Sequence, residues 1–332
     1  MKTYKINILA TALTKITHMM GSKGNESLIN RESILYNNKI VQVPFLSGNA
    51  IRHKMIREPG ALDLITQCNL KGKLSIEQVN FMMNGGSLTE SSVSCNINKI
   101  YVMQQILPLY RLLGGSLKNQ VLRGSLNVSF GFLFCKENQE RIAKLLDDNE
   151  IIEKYQLKNF EHFISNFQYT RASAKTIAGI PECVKDNEED NDNLMIYNGQ
   201  YLIPGSMFLI QFHLINCSDI ELGALLNALQ CYYNSGCIIG GMGRIGHGSI
   251  NIEFIDDDYN YSDLIAEYRN HNEKNSTVIE NWFNETFPFV KKEVKEKTKK
   301  SKTETKKKEI ELESELESEP EPEQISMFDA LE

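Results

Sequence analysis

With 332 residues, of which 41% are hydrophobic and 24% charged, the chain can bury a sizeable core as one large domain or two. Its apolar runs all fall well short of the roughly 20 residues of a membrane span, and its seven cysteines form no CxxC pair. Together with a start that reads as a strand, these features argue against a membrane protein, a secretory leader and a structural zinc, and for reduced thiols in a cytoplasmic protein. The net charge is −7, with 10 Lys against 13 acids in residues 291–332 and 26 Lys and Arg against 30 acids in the rest. A body this acidic is no free-roaming nonspecific DNA binder. Any nucleic-acid site must gather its cations into a groove, away from the acidic runs at 186–192 and 256–258.

Residues 4–13 (YKINILATAL) alternate as a first strand. Residues 14–42 are polar, carry His18, Lys23 and Arg31, and predict a long loop of the kind that is usually functional or mobile. In VPFLSGNAIRHKMIREPGA (43–61), Ser47 or Asn49 can cap a helix that runs to about Arg57 and that Pro59 stops. Its free N–H groups, beside Arg52, His53 and Lys54, suit a phosphate. Helical patterns fill 60–84 and 97–113, with a proline at 108, and stop at Gly114-Gly115. Residues 120–134 alternate as one long strand, or one bulged at Gly124 and Gly131. Residues 137–156 read as a charged surface helix and connector.

Residues 167–203 predict a second irregular excursion, which begins with Arg171 and Lys175 and turns acidic. A β run follows Pro204-Gly205. Ser218 to Glu221 then forms a capping box that opens a helix through Asn234, with Leu222, Leu225, Leu226, Leu229 and Tyr233 on one face. The stretch 236–250, GCIIGGMGRIGHGSI, holds six glycines with Arg244 and His247. Glycine at this density permits positive φ and close approach, so a helix–loop–strand junction with exposed N–H groups is expected to cradle an anion. A strand at 249–255 and one or two helices over 261–287, with the only tryptophan, complete the body. Residues 291–332 are low in hydrophobics and blocky in charge, which predicts a disordered tail ending in an apolar docking motif.

Without the insertions, the order is strand, helix, strand pair, helix, strand, the βαββαβ order of a ferredoxin-like α+β fold, whose sheet is a familiar RNA platform. At this point the motifs resemble those of the RAMP superfamily of CRISPR-associated proteins. VPFLSGNAIRHKMI resembles that family's P-x-x-x-G-x-x-x-R helix entry, YRLLGGSLKNQVLRGSLNVSFG its glycine-containing middle segment, and YTRASA with YLIPGSMFLI the surround of its thumb hairpin. GGMGRIGHGSI occupies the terminal glycine-loop position. LATALTKITHMMGSKGNESLINRE, PFLSGNAIR and FMMNGGSL are most similar to the repeating backbone subunit of type IV effector complexes.

The resemblance implies a modified RNA-recognition-motif palm over residues 1–290, with finger or web and thumb insertions at about 14–42 and 167–203 and a helical insertion at about 60–113. Copies of such a subunit polymerise along a guide RNA (crRNA), beside other effector subunits, for recognition of a complementary DNA or RNA. A filament that must hold any guide grips phosphates and 2′-hydroxyls rather than base edges. The candidate RNA contacts are His18, Lys23, Arg31, Ser47, Gly48, Asn49, Arg52 and His53, then Arg171 and Lys175, and finally Gly240, Gly241, Gly243, Arg244 and His247.

Related type III backbone subunits cut target RNA with an aspartate in the first insertion. Alignment on VPFLSG puts Arg31 near that position, and the first aspartate of the chain is Asp63. No positioned acid/base pair is evident, so no nuclease activity, metal or cofactor is expected. A type III-like nuclease and a non-CRISPR RNA-binding scaffold remain the alternatives. In the tail, QISMF resembles the sliding-clamp-binding pentapeptide of bacteria, which would use Gln324, Ile325, Met327 and Phe328.

Overall fold

The structure, a computed structural model, describes residues 2–23, 26–88, 97–148, 150, 154–155, 157–170, 196–255 and 261–288. Residues Met1–Pro288 form one compact unit. Its main sheet has the order β13-β1-β12-β9-β5-β4, and every pairing in it is antiparallel. The strands are β1 (Lys2–Ala12), β4 (Arg31–Tyr36), β5 (Lys39–Leu46), β9 (Gly131–Leu133), β12 (Met207–Cys217) and β13 (Ile250–Phe254), with β8 (Leu126–Val128) also on β12. β1 and β12 are buried along most of their length because both faces of the sheet are covered. Ile6, Ile8, Ala10, Phe208, Ile210 and Phe212 enter the main core, and Leu9 and Leu209 pack with Phe134 and Ile142 on the opposite face.

The main core is roofed by helices. α1 (Gly48–Ile51) passes without a break through a π-turn (Arg52–Arg57) into α2 (Glu58–Gln67). The predicted stop at Pro59 therefore does not occur. Pro59 is tolerated because it sits in the first turn after the π-turn, where a missing N–H costs little. A break at 68–75 then separates α3 (Ile76–Asn84), which starts with its own capping box between Ser75 and Gln78. α4 (Ile97–Ile106) and α5 (Pro108–Leu113) are distinct helices because Pro108 starts the second.

The strand expected over 120–134 is divided into β7 (Gln120–Leu122), β8 and β9, with β7 paired to β6 (Gly115–Leu117) away from the main sheet. The charged surface helix expected within 137–156 is α6 (Gln139–Leu146). α7 (Asp219–Asn234) opens with the predicted capping box and buries Leu222, Leu225, Leu226 and Leu229. Tyr232 rather than Tyr233 completes its inner face; Tyr233 is exposed. One helix, α8 (Tyr261–Thr286), covers 261–286 and inserts Trp282 among Phe81, Phe283 and Phe287.

Both excursions predicted as irregular contain strands. In 14–42, β2 (Met19–Lys23) and β3 (Glu26–Ile29) form one hairpin, and β4 with β5 forms another. β10 (Ile164–Thr170) and β11 (Ile196–Leu202) pair antiparallel over seven positions as the stem of a second insertion, and β11 pairs parallel with β3. The two insertions thus share one sheet, β10-β11-β3-β2. No described helix is long and apolar enough to cross a membrane.

Candidate nucleic-acid interface

Ser47 is the N-cap of α1, extended at φ −68°, ψ 141°, and its Oγ accepts from the Ala50 N–H at 3.3 Å. Gly48 follows because the helix starts against β8: a Cβ there would lie 3.1 Å from the Val128 carbonyl oxygen and 3.3 Å from that of Ser129. The Ser47 N–H donates to His18 Nε2 at 3.0 Å. Burial lowers the pKa of His18, so the ring is neutral at pH 7 and acts as an acceptor. Ser47, Gly48, Asn49 and Arg52 line a cleft of about 330 Å3 with Leu126, Asn127, Val128 and Phe130. None of these residues is acidic, and Arg52 supplies the charge.

The glycine loop is organised differently from the expected cradle. The amides of Gly236, Cys237, Ile239, Gly241, Ile245, Gly246, His247, Gly248 and Ile250 donate to backbone carbonyls, and that of Ser249 donates to Thr14 Oγ1. Gly241 N–H reaches the Thr17 oxygen and Gly248 N–H the Lys15 oxygen, both at 2.7 Å, while Thr17 Oγ1 donates back to the Gly241 carbonyl at 2.8 Å. Most of the loop's donors are therefore consumed within the protein, and those of Gly241, Gly248 and Ser249 fasten it to 14–17. Close approach is the reason for glycine at 240, whose φ is +82° and where a Cβ would lie 2.6 Å from the Thr17 oxygen. Segment 15–18 links the two features, because it carries the loop on one side and His18 on the other. The loop nevertheless does not open into the Ser47–Arg52 cleft. Gly240, Gly243 and the exposed Arg244 line a separate one, of about 810 Å3, with Lys54, Glu58, Asp63 and Arg269.

His247 is only 3% exposed. Tyr169 Oη lies 2.6 Å from its Nε2, Phe167 packs edge-on against the ring, and burial with the nearby Lys15 charge lowers its pKa. It joins the glycine loop to β10 as a neutral ring and does not present a cation at the surface. Arg31 likewise ties insertions together, through Nη2 to Gln200 Oε1 at 2.9 Å. His53 and Lys54 face Glu58, at 3.8 and 2.7 Å. The Lys23 side chain, Arg171, Lys175 and the tail residues Gln324, Ile325, Met327 and Phe328 lie outside the described residues. Arg57 was missed by the sequence reading, although a charge set among Met55, Ile56 and Ala61 on a buried helix is itself a signal.

His18, His213 and His247 all have lowered pKa values, chiefly through burial. The unfolded chain, with histidines near 6.5, binds more protons than the folded one below that pH. Their contribution to stability is complete above about pH 6.5 and is lost as the pH falls below it. The urea midpoint should drop between pH 7.5 and 5.5, and His247→Gln should flatten that slope. A midpoint that is level or rises on acidification would contradict the burial argument.

No protein-family model and no curated protein matches the chain. Its fold, however, is found among solved structures. A chain of a type IV-B CRISPR complex superposes with a TM-score of 0.54 at 16% identity, covering 77% of this chain and 92% of that one. A chain of a type III-B Cmr-beta complex bound to cognate target RNA gives 0.43 at 10% identity, covering 79% and 98%. Csc2 of Thermofilum pendens gives 0.37 at 13%, covering 84% and 76%. In class, the chain has a mixed α+β fold like that of the chain from the type IV-B CRISPR complex. In particular, of these three it is the type IV-B chain that superposes with a TM-score above 0.5.

Proposed function

We propose that this chain is a guide-RNA-binding backbone subunit of a cytoplasmic CRISPR effector complex, built around a ferredoxin-like palm. The observation that carries the proposal is the superposition on a type IV-B CRISPR chain over 77% of the sequence. The strand order β13-β1-β12-β9, with the α1–α2 rod lying between β1 and β9 in the chain and α7 between β12 and β13, supports the palm. In this reading the β10–β11 stem is the base of the thumb insertion. An acid-free cleft holding Arg52 and a helix start, in a chain of net charge −7, supports an RNA contact made through phosphates. In this proposal the subunit binds copies of itself, other effector subunits and the target strand, performs no catalysis, and extends the charged tail for docking.

The test is to mix purified chain with single-stranded RNAs of increasing length and measure mass by size exclusion with light scattering. Assemblies should grow stepwise with RNA length, and Arg52→Ala should weaken RNA binding roughly tenfold. A mass unaffected by RNA overturns the proposal. Labelled target RNA should remain intact in the assembled complex; evenly spaced cuts would establish the nuclease alternative.

A further inference from the structure

Arg57 is 8% exposed, in the interior between the C-terminal end of α3 and that of α5. One arm of its guanidinium is satisfied, Nη2 donating to the Gly114 carbonyl at 3.1 Å. The other, Nη1, is buried without a hydrogen-bond partner, and so is Nε of Arg52. No ion pair of the described residues involves either arginine. Burial lowers the pKa of both, and the charge of Arg52 adds to the effect at Arg57. A buried guanidinium beside a half-buried one, with no counter-charge for either, is costly, and folded proteins normally match such groups.

The two arginines share a wall of one cleft, of about 450 Å3, which the exposed Arg123 also lines. Their common orientation follows from the π-turn. Residues five apart on an α-helix point about 140° away from one another, whereas an i to i+5 turn brings them into line. The remaining polar lining, including Ser116 and Asn127, is uncharged, and no acid lines the cleft.

We infer that this cleft is a binding site for a phosphate-class oxyanion, with Arg57 and Arg52 as its paired ligands and Arg123 at its mouth. Three cations around one acid-free space call for more than the single charge of a carboxylate, and planar guanidiniums match phosphoryl oxygens. The volume leaves room for a sugar or nucleoside attached to the phosphate. The inference goes beyond the RNA proposal: it stands on the charge of the cleft, whether the phosphate belongs to an RNA backbone or to a small ester.

The test uses the full chain, freed of nucleic acid by nuclease and high salt. Its thermal melting is followed as inorganic phosphate replaces chloride at constant ionic strength. The melting temperature should rise saturably, by about 4 °C at 100 times the dissociation constant. Arg57→Met and Arg52→Met should abolish the rise, and Arg57→Lys, which keeps the charge without the fork, should need roughly tenfold more phosphate. If Arg57→Met does not fold, Arg52→Met decides. In a second arm, phosphate is titrated into a complex with labelled single-stranded RNA. Displacement assigns the site to an RNA phosphodiester; phosphate protection without displacement assigns it to a free phosphate or phosphate ester. Absence of RNA binding beside intact phosphate protection would sink the RNA proposal alone. No phosphate-specific rise in the wild-type chain, or an equal rise in both Met variants, overturns the site.

Discussion

Gly248→Ala should lower the unfolding free energy by about 3 kcal/mol, against about 1 kcal/mol for Gly246→Ala two residues earlier. Both glycines are in the left-handed region, at φ +87° and +88°, where any L side chain costs roughly 1–2 kcal/mol. They differ in their surroundings. Around Gly246 the added Cβ meets open space, whereas at Gly248 it would fall inside the carbonyl oxygen of Ile239, a backbone atom that cannot swing aside. Overpacking of that kind adds roughly 1–3 kcal/mol. Urea denaturation of the two variants measures the difference, and equal losses would mean that 236–250 yields without cost. The same reasoning changes how this loop is to be probed. A substitution at Gly240 or Gly248 breaks its seam with 14–17, so Arg244 at the exposed tip is the cleaner place to ask whether the loop touches a ligand.

Glu221→Ala should cost about 4 kcal/mol, the larger of the two effects. The Glu221 carboxylate is 3% exposed and has two tasks. Its Oε2 accepts from the Ser218 N–H at 2.7 Å and from Ser218 Oγ at 3.0 Å, completing the capping box, while Oε1 pairs with Arg111 Nη1. Removal leaves the Arg111 guanidinium, on α5, without its counter-charge at a site largely shielded from water, which typically costs 3–5 kcal/mol. Glu221→Gln keeps an acceptor for the cap and should lose less. Urea titrations of both variants, with Arg111→Met closing a double-mutant cycle, separate the cap from the pair. A loss below about 1 kcal/mol for the alanine variant would show that the pair behaves like a surface one.

The main antiparallel sheet and its helices were legible because their parts announce themselves locally. β1 and β12 alternate or run apolar, Ser218 and Glu221 stand at capping-box spacing, and the leucines of α7 recur on one face. The insertions were less legible because their strands are short and polar. β3 and β11 pair across a sequence separation that no local pattern encodes, and β2 and β10 flank them in the same sheet. Gly199 looks like a strand breaker, but it is required there because a Cβ would lie 2.6 Å from the ring of Phe167. Of the candidate site, the helix start at Ser47–Arg52 was correctly located. The glycine loop was found, but its amides were assigned to a ligand when most bind the protein itself. His247 and Arg31 were read as RNA contacts, yet His247 is buried against Tyr169 and the half-buried Arg31 bonds Gln200, because a charge pattern alone does not reveal which partner lies across a seam.

The π-turn can be regarded as one surplus residue carried within a helix. The surplus shifts the phase of everything beyond it, so that α2 presents to α5 and α7 a face that an unbroken helix from Gly48 would have turned elsewhere; Gly60 then sits where a Cβ would come within 2.8 Å of Leu109 and 3.2 Å of Ala228. The docking of the rod and the alignment of its two arginines thus depend on the same extra residue. A chain one residue shorter across 52–57 would still have every arginine, but no longer both on one side.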